Sequence, residues 1–223
     1  MPPAMRAKQA SRADRPGARR SGARVDEPRL ERARDTRGRL LDAALTVFEQ
    51  HRSTGGYTVH AVVAESGISL GSLYHHFGSM DGLSAALYSR SMAALLDTIG
   101  DAVEASSSPR AAIFSIVRAY LAFTERESSM ARFIHAAPSE RFPPAPAAAI
   151  VADKAPRLER IVGALRPHVR SGAIVALPEP LLEMLIIGPV AEIARRWLAG
   201  APGIDLADAA RLVPERIWRS VRA

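Results

Sequence analysis

The sequence contains no cysteine. Disulfides, thiolate metal sites and cysteine nucleophiles are therefore excluded, and a reducing cytoplasm suits the chain. Aromatic residues are only 5% of the total although 48% of residues are hydrophobic, so the apolar content is mainly Ala, Leu, Val and Ile. That composition favours helices packed on helices, because Ala and Leu form helices readily and sheets draw on more β-branched and aromatic residues. Long apolar runs are also missing. The longest candidate, "LLEMLIIGPVAEIA", is interrupted by Glu183 and Glu192 and is too short and too charged to span a bilayer. No apolar run follows the first N-terminal charges, so no signal peptide is expected and the location is read as cytoplasmic, without membrane association. Phosphate-binding glycine loops, Gly-x-Ser-x-Gly elbows and His-Glu-x-x-His zinc motifs are absent, and the carboxylates are scattered along polar faces. Neither an enzyme nor a cofactor or metal requirement is expected.

What is present is basic charge, unevenly placed. The chain carries a net +7 over 223 residues. Residues 1–24 hold Arg6, Lys8, Arg12, Arg15, Arg19, Arg20 and Arg24 against Asp14 alone, so almost all of the excess lies there. A basic tail on a near-neutral body points to a polyanionic partner, or to a solvated tail that aids solubility. Residues 1–35 have almost no large apolar side chains and are predicted to be disordered.

From Asp35-Thr36 onward the pattern becomes helical. Leu40, Leu41, Ala44, Leu45, Val47 and Phe48 recur with the rhythm of one buried face, capped by Asp35 or Thr36 and ended by Gly55-Gly56. Thr58 is placed to cap a short helix from Val59 to about Ser66. Gly67 suits a left-handed turn, and Ser69 can cap a second short helix to about His76. Two short helices joined by such a turn form a helix-turn-helix. Further helices are predicted at about 80–103, 109–126, 128–137, 146–170 (continuous or broken at Pro156), 179–199 and 205–221. The fold class is all-α with about nine helices. It divides into a tail at 1–35, a three-helix helix-turn-helix domain at 36–82, and a larger helical domain at 83–223.

Within the helix-turn-helix, Val62, Val63, Leu73 and Phe77 are the natural buried positions and Ile68 fills the turn. That leaves Ser69, Leu70, Gly71, Ser72, Tyr74 and His75 as the outward surface of the second short helix. A helix fits the major groove of B-DNA, and the free N–H groups at the helix starts near Thr58 and Ser69 suit phosphates. The adjacent pair His75-His76 is not a metal site. Neighbouring helix residues point about 100° apart, whereas helical ligand pairs need i, i+3 or i, i+4 spacing.

The stretches "TRGRLLDAALTVFEQ" and "YTVHAVVAESGISLGSLYHHFGSMDGL" resemble the tetracycline-repressor (TetR) family of bacterial transcriptional regulators. The specific part covers residues 36–83. The resemblance implies that Thr58 contacts phosphate, that Ser69, Leu70, Gly71 and Ser72 meet bases or nearby phosphates, and that Tyr74 and His75 touch the backbone and neighbouring bases. Three positions depart from the family pattern. Met80 stands where a phosphate-binding lysine is common, Leu70 is apolar at a base-facing position, and the loop "QHRSTGGY" is about one residue longer.

The family further implies a homodimer on a palindromic double-stranded operator, released by a small-molecule effector, and so a repressor. Candidate effector-pocket residues are Phe114, Tyr120, Phe123, Phe133, His135 and Phe142, which suit an ordinary core equally well. The last two predicted helices carry adjacent apolar rows. From these the dimer interface is read as Leu182, Leu185, Ile186, Ile193, Trp197, Val213 and Ile217, with a monomer core as the alternative. Two other readings stay open: a non-specific architectural DNA binder driven by the tail, and a helical protein-interaction module.

Overall fold

The computed structural model describes residues 27–52, 55–136 and 142–223, with side chains from residue 31. The described residues form nine helices: α1 (Glu27–Gln50), α2 (Val59–Ser66), α3 (Leu70–Phe77), α4 (Met80–Glu104), α5 (Pro109–Arg126), α6 (Ser128–Ala136), α7 (Pro144–Arg170), α8 (Glu179–Leu198) and α9 (Leu206–Val221). Residues 1–24, which hold the basic tail, lie outside the described residues. Residues up to Asp35 group as one unit and Thr36–Ala223 as another. None of the described helices is long and apolar enough to cross a membrane.

One helix boundary differs from the sequence reading. The first helix does not start at Asp35 or Thr36 but at Glu27. Its opening turns are rich in Glu, Arg, Leu and Ala, all good helix formers, and Pro28 sits in the first turn where its missing N–H costs nothing. Apolar periodicity could not show this, because those turns have no apolar face. The seventh helix is not broken at Pro156 and runs through both Pro156 and Pro167. Both prolines are on the exposed side, where a carbonyl deprived of its helical partner can bond to water instead.

Local capping fixes the helix-turn-helix. The Thr58 hydroxyl accepts from the Ala61 N–H at 3.3 Å, and the Ser69 hydroxyl from the Ser72 N–H at 3.3 Å. Between them Gly67 turns the chain at φ 65°, a left-handed conformation that glycine adopts without strain. Val62 and Leu73 are fully buried, with Val63, Ile68 and Phe77 half-buried against the same core. Ser79 caps α4 through the Gly82 N–H at 3.0 Å.

The corner between α3 and α4 is tight. A Cβ on Gly82 would lie 2.0 Å from the Phe77 carbonyl oxygen, which is backbone and cannot swing aside. Gly82→Ala is therefore expected to displace α3 against α4 and to cost about 1–3 kcal/mol. Urea unfolding would measure it, and an unchanged midpoint would show that the corner yields freely.

In the larger part, α4 packs along α7 and α5, while α5 packs against α9 and α8. Ion pairs reinforce the α4–α7 seam: Arg157 to Asp97 at 3.0 Å, and Arg160 to Asp101 at 2.6 Å and Glu104 at 2.5 Å. The Arg160 guanidinium lies over Gly100, where a Cβ would come within 3.0 Å of its Nη1. All of these pairs are partly exposed, so they set register more than stability.

Candidate functional site

Two features of the Thr36–Ala223 unit have the geometry of binding sites. One is the outer face of α3. Thr58, Ser69, Leu70, Gly71, Tyr74 and His75 are exposed, and Ser72 is half-buried beneath them. Tyr74 keeps 46% of its surface open although the helix is only eight residues long, which leaves the ring free to reach outward. His76 is half-buried at the junction with its ring 5.4 Å from that of His75. A Cβ on Gly71 would touch nothing within 4 Å, so the start of α3 is slim and open. The first backbone N–H groups of α2 and α3 have no partner inside their helices beyond the two capped donors, and both starts carry positive dipole ends. This arrangement can present donors and a narrow helix to a groove lined by phosphates.

The support for this face comes from α1 and α4. Arg39 donates to the Ser66 carbonyl at 3.2 Å, closing the end of α2 onto α1. The Arg37 guanidinium stands 5.4 Å from the Phe77 ring centre. Arg90 of α4 pairs with Asp42 of α1 at 2.7 Å. The Tyr57 and Ser84 hydroxyls share a hydrogen bond at 3.3 Å, and burial raises the Tyr57 pKa more than that bond lowers it.

The second feature is a cavity of about 690 Å³ between α4, α5, α7 and α8. Its floor is apolar and buried: Leu95 and Leu96 from α4, Ile116 from α5, Leu165 from α7, and Leu182 and Ile186 from α8. Along α7 the wall continues with Leu158, Ile161, Val162 and Val169, one face at helical spacing. Tyr120 supplies a phenol to the lining. Burial, with a smaller contribution from Tyr88, pushes its pKa up to about 12, so it stays protonated and able to donate. Polar groups on the rim are Lys154, Arg166, Arg170, Glu179 and Glu183.

The aromatic pocket candidates read from the sequence are distributed through the fold. Of the six, only Tyr120 lines this cavity. Phe123 and Phe133 are fully buried in the core. Phe133 packs edge-on against Phe48 at 4.8 Å and Tyr57 at 6.1 Å, and so joins α6 to α1. Phe142 meets Tyr88 at 5.8 Å. Phe114 lies under Arg110 and Arg118 near the start of α5, with guanidinium carbons 4.2 and 5.4 Å from its ring centre. His135 is on α6, and its pKa is lowered chiefly by burial and then by Arg195, against an opposing pull from Glu192. The residues missed were the apolar row of α7. Its periodicity was visible, but it carries no aromatic residue to draw attention.

The candidate interface residues differ in their burial within the chain. Leu182, Ile186 and Ile217 are buried within their own chain, and the first two face the cavity. Leu185 is exposed, and Ile193, Trp197 and Val213 are half-buried. On α8, Leu181, Met184 and Leu185 are exposed, Met184 by 65%, and on α9 Leu212 is exposed too. Of the two neighbouring rows on α8, the inner one closes the monomer and the outer one is left uncovered.

Residues 40–87 match the family model described as bacterial regulatory proteins, tetR family. A TetR family transcription regulator from Marinobacter aquaeolei has the same fold, with a TM-score of 0.67 at 19% identity over 86% of this chain and 98% of that one. The transcriptional regulator FadR from Bacillus subtilis, in complex with stearoyl-CoA, gives a TM-score of 0.67 at 16% identity over 81% and 96% of the two chains. The fatty acid degradation regulator FadR from Bacillus halodurans gives 0.67 at 17% identity over 83% and 99%. No curated protein sequence matches this chain.

Proposed function

From an N-terminal domain of the bacterial tetR family on the fold shared with its regulators, we propose that this protein is a sequence-specific transcriptional repressor. It binds a palindromic operator as a homodimer and is released when a small molecule fills the cavity. The observation that carries the reading is the open face of α3, flanked by the capped N-termini of two helices. Residues 36–82 serve as the DNA-binding domain and 83–223 as the ligand-binding and dimerisation domain. In the dimer, two α3 helices enter successive major grooves about 34–36 Å apart.

The exposed Leu181, Met184 and Leu185 on one helix support self-association, because large apolar side chains grouped on a surface favour a partner that covers them. The cavity supports ligand control, and the similarly folded Bacillus subtilis FadR was solved with stearoyl-CoA. Ligand acts only if it binds the DNA-bound and free states unequally. The reading assigns the chain no catalytic role and places it in the cytoplasm with its DNA.

Selection of duplexes from a random pool at near-physiological salt tests this. Recovery of one palindrome with half-sites a helical turn apart is expected. Salt-sensitive binding without a preferred sequence would instead identify an architectural binder driven by the tail. Removing residues 1–24 is expected to weaken operator binding and flatten its dependence on salt, by about 0.9 in the log–log slope for each phosphate the tail neutralises. An unchanged slope would show that the tail's seven basic residues do not touch DNA.

A further inference from the structure

The charges around the cavity are arranged unevenly along α7. Lys154 is half-buried on the lining, and no ion pair or hydrogen bond of its side chain occurs among the described residues. Arg166 lies three turns further along the helix, roughly 18 Å away at 1.5 Å per residue. It is not free. It bonds Glu179 at 3.2 Å and also pairs with Glu159. The Arg166–Glu179 bond brings the start of α8 to this end, where Arg170 and Glu183 complete the rim. With Glu159 and Glu179 both on Arg166, two arginines face three glutamates there, and that end carries no surplus positive charge. Between the two ends the α7 wall offers only Leu158, Ile161, Val162 and Leu165.

A lone, half-desolvated ammonium at one end of a long apolar trough is complementary to an elongated molecule with one negative end. A polyanion is not matched, because the far end has no surplus cation and Lys154 stands alone at the near one. We propose that the cavity takes a long-chain free monocarboxylate, with its carboxylate on Lys154 and its chain laid along α7, rather than a coenzyme A thioester. This rests on the cavity being the effector site. Lys154 is then the specificity-determining residue, and the protonated Tyr120 phenol is a second polar group on the lining.

The test uses the full chain and three probes: palmitate below its micelle concentration, hexadecanol and palmitoyl-CoA. Each is titrated by calorimetry against the native protein, Lys154→Met and Lys154→Arg, after urea midpoints establish that the variants fold. Palmitate is expected to bind native protein about tenfold or more tightly than hexadecanol, the size of one charged hydrogen bond. Lys154→Met is expected to erase that preference, leaving hexadecanol unchanged, and Lys154→Arg to keep most of it.

Equal binding of acid and alcohol, a preference that survives in Lys154→Met, or tightest binding of palmitoyl-CoA would overturn the proposal. Failure of all three probes to bind would overturn it as well. Operator binding, measured separately with and without palmitate, distinguishes the broader reading. Tight, Lys154-dependent binding that leaves operator affinity unchanged would uphold the ligand assignment and remove ligand-controlled release.

Discussion

Gly71→Leu is expected to abolish operator binding while leaving the protein at least as stable. The two effects separate because of where Gly71 lies. A Cβ there meets nothing within 4 Å inside the protein, so a side chain adds no clash to the fold. Replacing glycine within a helix even favours the helical state, by up to about 1 kcal/mol. The same side chain would project from the exposed first turn of α3, between Leu70 and Ser72, into the space the groove must fill. Without close approach there, several interactions with the groove fail at once. The expected loss is about 100-fold or more in affinity, about 2.8 kcal/mol. Fluorescence anisotropy on the selected operator and urea unfolding of the same preparation would read both quantities. Gly71→Ala should fall between native and leucine. If the leucine variant kept native affinity, α3 would not be the helix that enters the groove.

The largest effect on stability is expected from Phe133→Ala. Phe133 is 1% exposed, and its ring meets Phe48 at 84° and Tyr57 at 66°, both edge-on. Phe48 and Tyr57 also meet each other at 6.0 Å, so the three rings form one cluster. Truncation removes a full aromatic side chain and leaves a cavity that helices from three directions cannot easily close. The expected cost is about 3–5 kcal/mol. Phe142→Ala should cost less, since Phe142 is half-buried and touches one ring. Equal urea midpoints for the two variants would mean that the Phe133 cluster contributes nothing beyond ordinary burial. Because Phe133 ties α6 to α1, its loss should also weaken DNA binding at temperatures where the protein remains folded.

The arrangement at this cluster explains why aromatic residues by themselves do not locate a cavity. An aromatic residue on a predicted helix signals a large buried surface, but not whether that surface faces a cavity or another ring. Phe123, Phe133 and Phe142 are all buried or half-buried as their chemistry demands, yet none lines the cavity. The cavity is built by aliphatic side chains from two helix pairs, α4–α5 and α7–α8, that are separated in sequence. Its position depends on how far α7 stands from α5 and α8, and no local pattern encodes that distance.

Elements that depend on neighbours within a few residues are legible along the chain. Ser and Thr caps, the left-handed Gly67 and the 3.6-residue apolar rhythm each act over one or two turns. For that reason α2 to α6, α8 and α9 lie within a residue or two of where the sequence places them. The outward face of α3 was legible for the same reason, because burying Val62 and Leu73 leaves Leu70, Gly71, Tyr74 and His75 no other direction. Which of two equally apolar rows on α8 closes the core is set by packing between helices. Leu182, Ile186 and Val190 turn inward while Leu181 and Leu185 remain outside, a choice made by rotation of one helix against its neighbours. The same packing set Lys154 beside an apolar trough with no counter-charge on it among the described residues. Hydrophobic burial acts on area without regard to sequence distance, so such choices belong to the assembled core and not to any stretch of the chain.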